Sequence, residues 1–259
     1  MDGVLIDLGF IQIYWYSIFI FVALLVGGSL ALKQASKKGI SEDEMINYFF
    51  FLIPICILGA RLYYVIFNFN LYKDNLLDIL KIWEGGLAIH GGLLAGIIFT
   101  LIYCKKNSYS FLELADILSV SLIIGQAIGR WGNFFNKEAH GPEISRELLE
   151  KFIPFDFIIE GMNIGGVYYH PTFLYESLWC LLGFIILIII RNKLYRGQTF
   201  SLYLMIYSTA RFFIESLRTD SLMLFNIKVA QLVSIILFII GLIIFIKKQI
   251  EYKRLLADT

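Results

Sequence analysis

Charged residues are scarce in this chain of 259 residues: only 17% are Asp, Glu, Lys or Arg, whereas 58% are hydrophobic. The mean hydropathy is +0.73, which a soluble domain of this length rarely reaches. Cysteine and histidine are also rare, with three of each. Cys56, Cys104 and Cys180 lie far apart without metal-like spacing, so they are interpreted as small core residues.

Several other sequence signals are missing. No basic segment follows Met1, so no cleavable signal peptide is expected. No alternating pattern of about ten residues suggests a β-barrel, and no internal repeat suggests an inverted-repeat transporter. The chain shows no metal constellation and no nucleotide-binding loop, so neither a metal, a cofactor nor a nucleic-acid partner is expected. What remains is the pattern of an all-α integral membrane protein.

The apolar stretches predict seven transmembrane helices in one polytopic domain covering residues 1–259. A hydrocarbon core of about 30 Å requires about 20 helical residues. The predicted spans are 12–32, 45–67, 87–104, 111–135, 171–190, 199–217 and 229–246. The longest connection, at about 137–170, is predicted to form a small extracytoplasmic subdomain, because loops of that length are uncommon unless they are functional or folded.

The distribution of Lys and Arg predicts the orientation. Of the 22 such residues, three lie inside spans, seven lie in one set of loops and twelve in the opposite set. Because the denser set is usually cytoplasmic, the N-terminus is predicted outside and the C-terminus inside. The twelve are Lys33, Lys37, Lys38, Lys105, Lys106, Arg191, Lys193, Arg196, Lys247, Lys248, Lys253 and Arg254.

Three arginines, Arg61, Arg130 and Arg211, lie inside predicted spans. A charged side chain at the centre of a bilayer costs roughly 2.5–3.5 kcal/mol on insertion scales, so such residues usually face a bundle interior and bind something. The arginines therefore indicate an anion site between helices. Two alternatives stay open: Arg61 is either a site residue or a helix-packing tether, and Arg211 with Glu215 is either part of the site or a structural ion pair.

The polar residues of the predicted spans converge on the outer leaflet. A channel or carrier more often places such groups at the midplane or along the whole depth, so this bias indicates a site reached from the outer leaflet. Tyr207, Arg211, Glu215 and Arg218 have the spacing of one helix face. The converging residues are Tyr16, Arg61, His90, Arg130, Asn133, Asn136, Glu176, Tyr207, Arg211 and Glu215.

Glycines surround the lone intramembrane histidine, His90, and leave space for a ligand or a neighbouring helix. Gly92–Gly96 and Gly125–Gly129 both have the GxxxG spacing that allows close helix approach. His140 and His170 fall in or beside the long loop and are interpreted as capping or packing residues.

Four segments together resemble the prolipoprotein diacylglyceryl transferase family. They are HGGL from His90, GRWGNFFNKEAHG from Gly129, HPTFLYES from His170, and the segment from Tyr207 through Arg211 and Glu215 to Asp220. In this order on seven spans, the resemblance extends from Trp15 to Asp220. It implies a bacterial inner-membrane enzyme that moves a diacylglyceryl group from phosphatidylglycerol to the lipobox cysteine of a prolipoprotein signal peptide, forming a thioether and releasing glycerol 1-phosphate.

The resemblance also implies site residues. Two positions depart from the family pattern: Lys137 stands where many members have Gly, and Phe173 where some have Gln. The family's functional positions fall on Tyr16, His90, Arg130, Asn133, Glu138, Tyr207, Arg211 and Glu215.

The chemistry of these residue types suits an anionic lipid donor. Arginine binds phosphate through a planar fork better than lysine does in a desolvated site, and Arg130 and Arg211 would stabilise the leaving phosphate. The acceptor thiol attacks as a thiolate, and the sequence leaves His90 and Tyr207 both open as its base. Glu215 would orient Arg211, while Asn133, Glu138 and Tyr16 would complete lipid binding.

Other function classes are compatible with an outer-leaflet anion site in a membrane protein. They are a transporter, an intramembrane protease and a non-catalytic lipid-binding protein. The protease needs a Ser–His or paired-Asp arrangement, and Asp116 is the only aspartate inside a predicted span. The transporter and the lipid-binding protein stay open as alternatives to the transferase.

Overall fold

The computed structural model describes residues 3–9 and 12–258, which are mostly helical. Within them, six helical segments are long and apolar enough to cross a membrane. This finding confirms the predicted multi-pass, all-α membrane class. The six are α1 (Trp15–Lys37), α2 (Glu42–Phe67), α3 (Ile89–Lys106), α4 (Phe111–Asn136), α7 (Thr172–Ile190, extended by a 3₁₀ turn to Lys193) and α9 (Val229–Ala257).

The predicted span at 199–217 is also a helix, α8 (Gln198–Leu217). It does not count among the six segments, because polar and charged side chains interrupt its apolar residues. Its buried residues include Gln198, Thr199, Ser201 and Glu215. The seven-span topology and its orientation therefore stay predictions.

The chain divides into two compact units. The smaller unit is Leu32–Leu114, and the larger unit combines Met1–Ala31 with Ala115–Thr259. This division does not test the predicted single polytopic domain, which stays a prediction. The helices pack differently within each unit.

The smaller unit is built on the close approach of α2 and α3. A side chain on Gly91 would collide with the Gly59 carbonyl, since an added Cβ would lie 2.3 Å from that oxygen. A Cβ added to Gly96 would likewise lie 2.9 Å from Cys56 Sγ. The Gly92–Gly96 spacing therefore marks a tight contact. The connection between the two helices consists of the 3₁₀ turns Phe69–Leu71, Leu76–Leu80 and Ile82–Glu84.

The larger unit packs α4, α7 and α8 around a shared core. In contrast to the smaller unit, a Cβ added to Gly125 or Gly129 would lie 3.9 Å from an α1 side chain, which is an ordinary contact distance. The Ser177 hydroxyl donates to the Ala127 carbonyl at 2.8 Å and ties α7 to α4. The core residues are Val120, Ile123, Ala127, Cys180, Leu187, Tyr203 and Leu204.

Both ends of α8 are bound by side chains from other helices or loops. At its start, the buried Asp116 carboxylate of α4 accepts from the Gly197 and Phe200 amides at 2.6 and 2.7 Å. At its end, the Lys228 ammonium donates to the Glu215 and Arg218 carbonyls at 2.7 and 2.6 Å. These contacts satisfy backbone groups that a helix leaves without partners at its ends.

The predicted subdomain at about 137–170 is a folded insertion in the larger unit. It contains the helices α5 (Arg146–Phe152) and α6 (Asp156–Gly161). A two-residue hairpin follows, with β3 (Asn163–Ile164) antiparallel to β4 (Val167–Tyr168). Its apolar side chains pack on the end of α4 and the start of α7. The side of the membrane on which it lies stays a prediction.

Two further short hairpins flank the helices of the larger unit. Near the N-terminus, β1 (Val4–Asp7) pairs with β2 (Gln12–Tyr14), directly before α1. Between α8 and α9, β5 (Met223–Leu224) pairs with β6 (Ile227–Lys228). The second hairpin places Lys228 against the end of α8.

Candidate active site

A buried carboxylate joins two arginines where α4, α7 and α8 converge. Arg130 Nη2 of α4 lies 2.7 Å from Glu176 Oε1 of α7. Arg211 Nη1 of α8 lies 3.3 Å from the other oxygen, Glu176 Oε2. Glu176 is 2% exposed, whereas the side chains of Arg130 and Arg211 are 20% and 17% exposed. The arginines thus reach the surface of the cluster while the carboxylate lies beneath them.

The cluster continues along α8 through Glu215. Arg211 Nη2 lies 2.6 Å from Glu215 Oε2, one helical turn away. Arg218 Nε is 4.0 Å from the same oxygen and makes a bidentate contact with Asp220, at 2.9 and 2.7 Å. These hydrogen bonds lower the pKa of Asp220 below its ordinary value, since they stabilise the ionised carboxylate. The Arg211–Glu215 pair is therefore formed, and it belongs to the same cluster as Arg130.

The C-terminal end of α4 brings Asn133 and Glu138 together beside Arg130. Arg130 Nη1 donates to Asn133 Oδ1 at 3.3 Å, and Asn133 Nδ2 donates to Glu138 Oε1 at 2.9 Å. The helix ends in a Schellman motif. The Glu138 amide donates to the Asn133 carbonyl, and the Lys137 amide donates to the Phe134 carbonyl. This motif turns the Glu138 carboxylate back towards α4.

Lys137 adopts the left-handed backbone conformation that the Schellman motif requires, with φ of 54°. Glycine is favoured at this position of the motif because it has no Cβ to clash. Lys137 therefore adopts, at a cost, a backbone conformation that a glycine would adopt more easily.

Two tyrosines border the arginine cluster in the larger unit. The Tyr16 ring packs directly on Gly132, where an added Cβ would lie 2.5 Å from Tyr16 Cδ2. Tyr207 lies within electrostatic range of Arg130, Glu176 and Arg211. Besides these tyrosines and His90, five predicted site residues lie in the cluster. Arg130, Arg211 and Glu215 form it directly, and Asn133 with Glu138 extends it.

His90 lies in the smaller unit, at the second residue of α3. Its imidazole is exposed, and its ring centroid is 6.2 Å from that of Tyr63. The other two histidines make local contacts in the larger unit: His140 packs on Tyr169 with ring centroids 4.2 Å apart, and His170 Nδ1 lies 3.1 Å from the Tyr175 hydroxyl. The prediction that His140 and His170 pack or cap agrees with these contacts.

Arg61 binds backbone rather than an anion site. Its guanidinium makes five hydrogen bonds to carbonyls of the connection between α2 and α3, and it lies 5.0 Å from the ring centroid of Tyr72. Of the two alternatives left by the sequence, the packing tether is therefore the one formed. The bonded carbonyls are those of Asp78, Ile79, Lys81, Gly85 and Gly86, at 2.7 to 3.4 Å.

Glu176 is the residue that sequence reasoning left out of the site. The sequence places it only among the polar groups predicted near the outer leaflet and within the HPTFLYES segment. The available signal was a carboxylate inside an otherwise apolar helix, which requires a partner. Its partners lie 46 and 35 residues away in the chain (176 − 130 and 211 − 176), so no local spacing identifies them. Among the described residues, no group of three or more His, Cys, Asp or Glu side chains is arranged to hold a metal ion.

Comparison with known proteins identifies the family. A family model described as prolipoprotein diacylglyceryl transferase matches residues 3–247, nearly the whole chain. The chain belongs to the prolipoprotein diacylglyceryl transferase family. The resemblance found in the four sequence segments is thereby confirmed.

Curated members of the transferase family are similar to this chain over nearly its whole length. The phosphatidylglycerol–prolipoprotein diacylglyceryl transferase of Staphylococcus haemolyticus (strain JCSC1435) is 49% identical over 254 residues, covering 98% of this chain and 90% of that protein. Those of Staphylococcus aureus strains MSSA476 and MW2 are each 49% identical over 253 residues, covering 97% of this chain and 91% of theirs.

Proposed function

We propose that this protein transfers the diacylglyceryl group of phosphatidylglycerol to the thiol of a lipobox cysteine in a prolipoprotein signal peptide. Membership of the family, at about half identity to curated transferases over nearly the full chain, carries the proposal. The cluster of Arg130 and Arg211 supports it, because an anionic phosphodiester needs charged donors in a desolvated site. Phosphatidylglycerol and the signal peptide are the expected partners, within a membrane lipid environment.

The reaction replaces a carbon–oxygen bond with a carbon–sulfur bond. The cysteine thiolate attacks the phosphate-bearing carbon of the diacylglyceryl group, and the bond from that carbon to the phosphate oxygen breaks as the thioether forms. The electron pair stays on the phosphate oxygen, so glycerol 1-phosphate leaves with an additional negative charge. Arg130 and Arg211 would bind the phosphate and stabilise that growing charge, which is worth most where water is excluded.

The thiol proton must go to a base, and two residues are candidates. The reference pKa of a cysteine thiol is about 8.5, so at neutral pH most of the substrate is not yet thiolate. Tyr207 belongs to the same unit as the arginines and lies within their electrostatic range. His90 is the exposed imidazole at the start of α3, and a histidine is the most frequent general base. We propose that one of these two groups accepts the proton.

The remaining predicted residues would bind the lipid donor. Glu215 holds Arg211 at 2.6 Å and so fixes its orientation. Asn133 and Glu138 present an amide and a carboxylate that suit the glycerol hydroxyls of the headgroup. Tyr16 packs beside them on Gly132.

We further propose seven transmembrane helices, with α8 as the sixth and the N-terminus outside. Two of the polar residues that lower the hydropathy of α8, Arg211 and Glu215, form part of the arginine cluster, so a site inside the bundle explains their presence. In this topology the cluster lies towards the outer leaflet of the cell membrane, and the insertion at about 137–170 is extracytoplasmic.

Transfer is tested with the purified protein in detergent or liposomes, a synthetic lipobox peptide and phosphatidylglycerol. Mass spectrometry should detect the peptide with one added diacylglyceryl group, and glycerol 1-phosphate should appear in equal amount. A peptide with serine in place of cysteine is the matched control. Uptake of a substrate into liposomes without a covalent product would favour a transporter, and lipid binding without product would favour a lipid-binding protein.

A further inference from the structure

Glu176 contacts both arginines of the site at once. We propose that Glu176 is a positioning residue that fixes the separation of Arg130 and Arg211 and offsets their charge so that the phosphate monoester product is released. This inference rests on the proposed function, and it concerns a residue that is not among the site residues implied by the family resemblance.

The geometry supports the positioning part of the proposal. The two contacts use different oxygens of one planar carboxylate, 2.7 Å to Arg130 and 3.3 Å to Arg211. These arginines stand on different helices and carry flexible side chains of like charge, which repel each other. A fixed carboxylate between them attracts both guanidinium groups and so sets their separation. Glu176 is itself held by burial and by its neighbour Ser177, whose hydroxyl bonds the α4 backbone at 2.8 Å.

The contact with Arg130 leaves that guanidinium able to bind a substrate. Arg130 Nη2 is close to Glu176 Oε1, but the pair does not have the alignment of a hydrogen bond. The side chain of Arg130 also retains 20% exposure, whereas Glu176 is 2% exposed. The carboxylate therefore lies behind the arginines, on the side away from an approaching phosphate. A group in that place acts on the substrate through the arginines.

Charge counting supports the release part of the proposal. Arg130 and Arg211 contribute two positive charges, and the two carboxylates in direct contact with them, Glu176 and Glu215, contribute two negative ones. The donor phosphodiester carries one negative charge, whereas the product is a phosphate monoester that carries about 1.5 to 2 at neutral pH. A site with uncompensated arginines would hold the product more strongly than the donor. Binding the product tightly slows turnover, because product release then limits kcat.

Glu176→Gln is the decisive variant. The amide keeps the shape of the side chain, but it has no negative charge and presents a donor to one arginine. We expect kcat to fall at least tenfold, because the two guanidinium groups lose their fixed separation. We also expect glycerol 1-phosphate to inhibit at least threefold more tightly, because charge attraction persists at any geometry. Glu176→Asp restores the charge but not the reach, so inhibition should return to the wild-type strength while kcat stays low.

Glu251→Gln is the matched control. Glu251 is a carboxylate of the same unit, but its partners are the Tyr195 hydroxyl at 3.0 Å and the Lys248 ammonium at 2.6 Å, and neither belongs to the arginine cluster. We expect this variant to unfold at a lower temperature in detergent, with unchanged kcat per folded molecule and unchanged inhibition by glycerol 1-phosphate. A purely structural Glu176 would behave in the same way.

Two results would overturn the proposal for Glu176. One is a Glu176→Gln variant with the wild-type kcat and the wild-type inhibition by glycerol 1-phosphate. The other is a Glu176→Gln variant that unfolds at a lower temperature and is inhibited less strongly by glycerol 1-phosphate than the wild type. If the wild-type protein transfers no diacylglyceryl group, the proposed function fails instead. Calorimetric titration with glycerol 1-phosphate then still decides the role of Glu176: tighter binding to Glu176→Gln than to wild type supports the charge offset, and equal or weaker binding refutes it.

Discussion

Replacement of Arg130 by lysine separates charge from geometry in the proposed phosphate site. Arg130 uses Nη2 towards Glu176 at 2.7 Å and Nη1 towards Asn133 at 3.3 Å, so two nitrogens of one planar group contact different partners. A lysine ammonium keeps the charge, but it is a single point on a flexible chain. It cannot maintain both protein contacts and also present a planar fork to a phosphate.

The expected loss follows from the contacts that lysine cannot make. Removing one donor from a preorganised site for developing negative charge costs about 2.7–4 kcal/mol, or roughly 10²–10³-fold in kcat. We therefore expect Arg130→Lys to lose about that factor. Arg130→Ala also removes the charge opposite buried Glu176, and breaking a buried pair costs about 3–5 kcal/mol, so activity should be nearly abolished. Arg211→Ala should have a similar effect.

The assay is the initial rate of peptide modification by mass spectrometry, normalised to the amount of protein inserted in the membrane. Arg146→Lys is the control, because Arg146 makes exposed ion pairs with Glu150 and Glu160 on the insertion and such pairs contribute little. It should keep the wild-type rate. Planar phosphate recognition at Arg130 would be wrong if Arg130→Lys kept most of the rate.

Four further predictions test other parts of the molecule. His90→Gln should lower the rate about 10²–10⁴-fold if His90 is the base; the acidic limb of the pH–rate profile should then vanish, and a limb that persists points to Tyr207. Lys137→Gly should stabilise the protein by about 1 kcal/mol with unchanged activity, because glycine adopts the left-handed conformation without the cost to other residues; a lower midpoint of thermal unfolding would contradict this. Arg61→Ala should destabilise the smaller unit by several kcal/mol, since five backbone carbonyls lose a charged donor. Faster proteolysis between α2 and α3 would report this loss, and an unchanged rate of proteolysis would refute the packing tether. In a cysteine-free background, an impermeant thiol reagent outside the cell should label a cysteine near Asn163 and spare one near Lys106; the reverse pattern would overturn the proposed orientation.

The positions of the helices follow closely from hydropathy, but their ends do not. The last predicted span, 229–246, is the start of a helix that continues to Ala257. Its final residues are charged, so hydropathy ends where the helix does not. Contacts explain the continuation: Tyr195 bonds Glu251 at 3.0 Å, and Lys248 pairs with Glu251 at 2.6 Å. Such contacts depend on tertiary packing, which hydropathy does not record.

The site was predictable where helical spacing or motif order applied. Arg211 and Glu215 lie one turn apart, and their contact follows from that spacing. The role of Arg61 was not predictable, because its acceptors are backbone carbonyls, which every residue has and no sequence pattern marks. Glu176 was missed for a related reason, since its two partners come from helices far away in the chain.

The double attachment of α8 has a consequence for how this helix tolerates change. Its first turn is bound through Asp116 and its last through Lys228, so the number of residues between these attachments fixes the angular phase of Tyr207, Arg211 and Glu215. Each added residue would rotate the following side chains by about 100° about the helix axis. A single insertion before Tyr207 should therefore turn the arginine away from Glu176 even though every site residue is still present. Insertions of this kind should be tolerated between Leu217 and Lys228 far better than inside α8.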